Sequence, residues 1–267
     1  MDNFLNLAKE LPEQFRNVQI NKGIRPKKSC FFGIKRHESF GWRSFEKIPR
    51  KAVNFEFCLG SSGLNLLTEF CNSDLAQKVE FLVVGNSLGE IGNGKDLSEI
   101  VKVMSECEFP KLKVLYLGDW DIYSHLDYVY GKLGDITNLF KGMPSLQKLK
   151  LGGYFELKEK LNLPLLREIQ VKVDYAGGNE TLSISTYNKL FLSYFPKLEE
   201  LYYELGAEFT NDIYGFCDEF LTGEKTPKLN KLEICGTFNS GEKQRIRDSK
   251  LGLRNGLRLY LDDLIES

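Results

Sequence analysis

The sequence predicts an α/β chain: a leucine-patterned solenoid with a curved parallel sheet, helices on its convex side and a β-hairpin cap at the N-terminus. Three observations predict it. One ten-residue pattern recurs five times, its copies are separated by enough chain for a return element, and most of those separations hold a helical pattern. The five copies are FPKLKVLYLG from Phe109, MPSLQKLKLG from Met143, LPLLREIQVK from Leu163, FPKLEELYYE from Phe195 and TPKLNKLEIC from Thr226. Each reads x-Pro-x-Leu-x-x-apolar-x-apolar.

Strands come first. The apolar triplets are Leu112, Leu115, Leu117; Leu146, Leu149, Leu151; Leu166, Ile169, Val171; Leu198, Leu201, Tyr203; and Leu229, Leu232, Ile234. The last two members of each triplet are two residues apart, so they share one face of a strand. The first member precedes the strand and turns inward from a bend. Proline two residues earlier suits that bend, because it fixes φ and carries no ladder donor. Weaker copies lie upstream at Ala52, Phe55, Phe57 and at Val79, Leu82, Val84. Leu257, Leu259 and Leu261 form a closing strand.

Return elements come next. The triplets begin at 52, 79, 112, 146, 166, 198 and 229, with intervals of 27, 33, 34, 20, 32 and 31 residues. Helices are predicted in GLNLLTEFC from Gly63, DLSEIVKVMSEC from Asp96, ITNLFKG from Ile136, TYNKLFLSYF from Thr186 and DIYGFCDEFL from Asp212. Asp96 and Glu99 have capping-box spacing. Ile100, Val103, Met104 and Cys107 fall on one helical face. The 20-residue interval after Leu146 is too short for a full helix and is expected to close with a loop. A strand, a helix and a return to the next parallel strand cannot bury their apolar face alone. Stacked copies share one core.

This pattern resembles the leucine-rich repeat family. The resemblance rests on the L-x-x-L-x-L triplets and spans about Ala52 to Ile234. Within the family it is most similar to irregular bacterial cytoplasmic members whose strands end in turns such as Gly118–Asp119 and Gly85–Asn86. The chain departs from the family where an Asn or Cys normally follows the last leucine. Those positions hold Trp120, Tyr154, Asp174, Gly206 and Thr237. Without that Asn ladder, a shorter and less regular arc is expected.

Two segments follow: residues 1–49 as an N-terminal cap and 50–267 as the solenoid. Residues 1–51 hold 12 Lys/Arg against 5 Asp/Glu, while the whole chain carries a net charge of −1. Global attraction to nucleic acid or anionic membrane is thereby excluded, though a local basic segment remains. A β-hairpin cap is expected here, in which Phe31, Phe32 and Ile34 together with Trp42, Phe45 and Ile48 cover the apolar end of the first repeat. The same mixture of basic and aromatic residues also suits a nucleic-acid patch.

Cys30, Cys58, Cys71, Cys107, Cys217 and Cys235 include no C-x-x-C pair, so no metal site is predicted. They read as reduced thiols, and the N-terminus lacks a signal-peptide pattern. A cytoplasmic location is expected.

The residues between the inward leucines point outward on the concave face. Phe81, Tyr116, Tyr202 and Tyr260 are the candidate anchors, and Lys148, Lys150, Glu200 and Glu204 supply charge. Aromatic groups among charges suit a protein partner. The expectation is a non-catalytic protein-binding module without a cofactor, by fold analogy an immunity or inhibitor protein that sequesters a toxin.

Two other readings compete. Gly89 to Lys95 fits G-x-x-x-x-G-K, the pattern of a phosphate-binding loop in a nucleotide-binding enzyme. However, Asp96 stands where a magnesium-binding hydroxyl belongs, and a carboxylate there repels phosphate. Asp119-Trp120-Asp121 matches a metal-binding D-x-D in only three residues. His37 and His125 have no recognisable nucleophile and acid beside them.

Overall fold

The computed structural model describes residues 4, 6–7, 16–19, 29–33, 42–44, 53–58, 63–85, 96–118, 131–173, 182–205, 216–236, 238 and 241–262. Among them are thirteen strands. These are β1 (Arg16–Gln19), β2 (Ser29–Gly33), β3 (Trp42–Ser44), β4 (Asn54–Cys58), β5 (Phe81–Val84), β6 (Val114–Gly118), β7 (Lys132–Asp135), β8 (Lys148–Gly152), β9 (Tyr154–Glu156), β10 (Glu168–Val173), β11 (Glu200–Leu205), β12 (Lys231–Cys235) and β13 (Arg258–Asp262). The helices are α1 (Leu64–Cys71), α2 (Ser98–Ser105), α3 (Ile184–Phe191), α4 (Asp218–Leu221) and α5 (Glu242–Asp248). Eleven strands form one mixed sheet in the order β13-β12-β11-β10-β8-β6-β5-β4-β2-β1-β3. Every pairing from β2 to β13 is parallel.

The ten-residue repeat is a turn followed by a strand. In each copy the inward leucine donates its N–H to the residue before the proline. Leu112 reaches the Phe109 carbonyl at 3.1 Å, Leu146 reaches Met143 at 3.2 Å, Leu166 reaches Leu163 at 3.1 Å, Leu198 reaches Phe195 at 3.1 Å and Leu229 reaches Thr226 at 3.1 Å. Proline sits second in every turn, where its fixed φ is already correct. The next residue then joins the neighbouring unit. Lys113 N–H donates to the Glu80 carbonyl, Gln147 to Lys113, Arg167 to Gln147, Glu199 to Arg167 and Asn230 to Glu199, at 2.7–2.9 Å. One ladder therefore runs through all the units, and it sets a common register.

That register aligns the side chains in rows. Leu82, Leu115, Leu149, Ile169, Leu201 and Leu232 form one buried row; Val84, Leu117, Leu151, Val171, Tyr203 and Ile234 form the other. Burying each leucine contributes roughly 2–3 kcal/mol. The helices pack on this face. Phe70 of α1 lies 4.8 Å from Phe55 and 5.0 Å from Phe57 between ring centres. Phe191 of α3 lies 5.1 Å from Tyr203 and 4.4 Å from Phe220 of α4. The Ser183 side chain accepts the Thr186 N–H and caps α3.

Several expectations need correction. ITNLFKG forms a 3-10 helix only at Leu139–Gly142. A side chain at Gly142 would collide with the Cys107 carbonyl, so the chain here lies hard against the preceding unit. Helix α2 starts at Ser98, not Asp96. The Asp96 carboxylate accepts the Ser98 N–H at 2.8 Å, so an Asp96–Glu99 capping box does not form. No helix occupies residues 153–167, as expected, but β9 lies there and pairs in parallel with β7 as a second, two-stranded sheet. At the N-terminus, β1 lies between β2 and β3 and is antiparallel to both. The strands holding Phe31 and Trp42 are therefore not paired with each other. Ile34, Phe45 and Ile48 lie outside the described residues. The main sheet crosses position 49 through the β2–β4 pairing.

Candidate functional site

Alternating with the buried rows, three further rows lie on the opposite face, the open face, which is buried at Val83, Gly118 and Gly152 and part-exposed at most other positions from β6 to β13. The first runs Phe81, Val114, Lys148, Glu168, Glu200, Lys231, Arg258. The second runs Val83, Tyr116, Lys150, Gln170, Tyr202, Glu233, Tyr260. The third runs Gly118, Gly152, Lys172, Glu204, Cys235, Asp262. All eight candidate residues fall in the first two rows except Glu204, which is in the third. Alternating burial along β8, β10 and β12 confirms which face each residue occupies.

The face divides into two chemistries. On β5, β6 and β8 it is aromatic and cationic. Phe81 and Tyr116 meet edge to face, 5.3 Å between ring centres. Lys150 Nζ lies 4.9 Å above the Tyr116 ring and Lys148 Nζ lies 6.0 Å from it. A cation over a ring face is attracted by the ring quadrupole. Burial and then the Lys148 charge lower the Lys150 pKa. Burial is the largest single influence on Lys148 and pulls its pKa down, but the hydrogen bond to Glu168 and the interactions with Tyr116 and the Glu168 charge together leave it raised. The strand end beside Tyr116 carries no side chain. Gly118 has φ +104°, and a Cβ there would collide with the Gly152 carbonyl.

From β10 to β13 the face is a charge network. Lys148 Nζ pairs with Glu168 at 2.7 Å, Lys172 with Glu204 at 3.1 Å and Lys231 with Glu233 at 2.7 Å. Gln170 donates to Glu168 at 2.9 Å, and the Tyr202 hydroxyl donates to Glu204 at 2.7 Å. Burial, together with that bond to Glu204, holds the Tyr202 phenol protonated far above its ordinary range. Burial and the charges of Asp262, Glu204 and Glu233 push the Cys235 thiol up to about 11. The Glu233 bond raises the Lys231 pKa. Glu168, Gln170, Lys172, Glu200, Tyr202, Glu204, Lys231 and Glu233 surround a depression of about 290 Å³.

Glu200, Tyr202 and Glu204 line this depression; Phe81, Tyr116, Lys148 and Lys150 form the aromatic part. Tyr260 stands apart near the sheet edge, 45% exposed, with Lys231 Nζ 5.9 Å from its ring. Glu168 and Lys172 also line the depression and are not among the candidate binding residues, although alternation along the strand puts them on the same face. Glu56 is a further residue of this face outside the candidate set. That carboxylate is only 4% exposed in register with Val83, and its sequence signal is a lone acid alternating with Phe55 and Phe57.

Gly89 to Lys95, the Asp119–Asp121 motif, His37 and His125 lie outside the described residues, as do Trp120, Asp174, Gly206 and Thr237. Tyr154, at the remaining family Asn position, is in β9. Asp96 is held by Ser98, and that bond lowers its pKa. No three His, Cys, Asp or Glu among the described residues are grouped so as to hold a metal ion. No helix among them is long and apolar enough to cross a membrane. No protein-family model matches the sequence, and no curated protein is significantly similar to it.

Proposed function

We propose that this chain is a non-catalytic binding module that holds a partner protein on the open face of its sheet. In this reading the parallel units wind as a short leucine-rich-repeat-like solenoid. The open face is concave, the helices are on the convex side, and the N-terminal strands cap the first unit. The carrying observation is the open face itself, where aromatic rings and a charge network lie in three registered rows over β6 to β13. Rings that are part-covered before binding give contact area at little entropic cost, while fixed ion pairs give selectivity. The partner class is a toxin sequestered in the cytoplasm by an immunity or inhibitor protein, a choice that rests on analogy of fold.

The test is a pull-down from native lysate with the purified chain beside its Tyr116→Ala/Tyr202→Ala variant, followed by identification of the captured protein. A toxin held by the native chain alone supports the reading. Equal capture by both chains removes the open face as the site. Capture of nucleotide or RNA with no protein overturns the reading.

A further inference from the structure

Among the described strands, β13 lies at one end of the sheet. It pairs with β12 on one side and has no described strand on the other. Arg258 N–H donates to the Asn230 carbonyl at 2.8 Å, and the Asp262 carbonyl accepts from Gly236 N–H at 3.0 Å. Both residues therefore direct their backbone groups at β12. Backbone direction alternates along a strand, so the N–H and C=O groups of Leu259 and Leu261 point outward from the edge.

We propose that this edge pairs with β13 of a second copy of the same chain. The strand reads Arg258-Leu259-Tyr260-Leu261-Asp262. Antiparallel pairing about Tyr260 sets Leu259 opposite Leu261 of the second copy, and both have outward backbone groups. Those two positions form the hydrogen-bonded pairs of an antiparallel ladder, and Tyr260 meets its own copy in the non-bonded pair between them. The same register sets Arg258 opposite Asp262, twice. No other antiparallel register sets Arg258 opposite Asp262. Parallel in-register pairing sets like against like, which is unfavourable. Charged edge residues usually discourage pairing; here they favour one register over the others. The apolar surface agrees. Leu253 is 72% exposed, and Leu257 and Leu259 are only part-buried at this end of the core. A two-fold axis through the edge brings both sets together and joins the two open faces side by side.

Sedimentation equilibrium of the full chain over a range of concentrations tests this. The expected result is a dimer that dissociates on dilution. Arg258→Asp and Asp262→Arg each set like charges opposite and are expected to weaken the dimer about tenfold. Both side chains are exposed, so neither change threatens the fold. Mixing the two single variants restores both opposite-charge pairs and should give a heterodimer as tight as the wild type. The double variant should also dimerise. A wild-type chain that is monomeric at every concentration overturns the proposal, as does a dimer indifferent to either reversal. Reversals that weaken the dimer without recovery on mixing overturn it as well. So does a chain that dimerises only after residues 263–267 are removed, because the edge then belongs to its own tail.

Discussion

The two parts of the open face stand on the same leucine rows yet handle charge differently. Around Tyr116, two lysines crowd one ring, and Lys148 also pairs with Glu168 on the neighbouring strand. Around Tyr202, lysine and glutamate alternate closely enough for Lys172, Lys231, Glu204 and Glu233 all to be paired. A partner covering the aromatic part displaces water from rings and lysine stems, which is favourable. A partner covering the network must match ion pairs already made, and a mismatch there is expensive. In the proposed complex, attachment therefore belongs to one part and discrimination to the other.

The largest effect lies beneath the comparison. Leu149 and Lys150 are adjacent on β8, one fully buried and one over a ring. Leu149→Ala is expected to cost about 3 kcal/mol in urea denaturation, through lost burial and the cavity left behind. Lys150→Ala is expected to cost less than about 1 kcal/mol. Equal losses would mean that the open face supports the fold as much as the core does.

Next comes the network. The Lys172 and Glu204 side chains are only 17% and 13% exposed. Lys172→Met leaves the Glu204 carboxylate with the Tyr202 hydroxyl but no cation, and is expected to cost about 1–2 kcal/mol. The double variant Lys172→Met/Glu204→Gln should recover part of that loss. A double variant no more stable than the single one would show that the pair is not coupled.

The two parts also diverge in alkali. The Cys235 thiol is raised from 9.0 to about 11, so the folded chain holds its proton longer and stability falls as pH climbs across that range. Lys150 is lowered from 10.5, so the unfolded chain binds the proton more tightly and stability rises as pH approaches that value. Urea midpoints measured from pH 9 to 11 should therefore fall less steeply in Cys235→Ser and more steeply in Lys150→Met. Identical slopes in all three proteins would remove the electrostatic distinction. The smallest effect is expected outside both parts, at the exposed Lys250–Glu224 pair 3.4 Å apart. Lys250→Ala should change stability by less than about 0.5 kcal/mol.

Much of this arrangement is visible in the sequence because its causes are local. A proline two residues before an inward leucine makes a turn, and period two assigns faces, so Tyr116 and Tyr202 reach the open face on spacing alone. Whether Lys148 meets Glu168 depends on which strand lies beside β8, which spacing leaves open. Helix α5 leaves no signal in the sequence, since Ile246 is the only apolar residue in its EKQRIRD segment and no stripe exists to read. The short strands β7 and β9 hold four and three residues, too few to show a period. At Leu139–Gly142, close contact with the preceding unit prevailed over an amphipathic pattern. The order of the N-terminal strands depends on β1, which has no copy elsewhere in the chain.

The common register also works as a ruler. Neighbouring strands are about 4.8 Å apart, and five pairings separate Tyr116 from Tyr260, so the rings stand roughly 24 Å apart along the sheet. A drug-sized molecule settles over two or three strands and reports one part of the face alone. Only a body of macromolecular width touches both ends at once, so fragment probes and whole partners should rank the same substitutions differently.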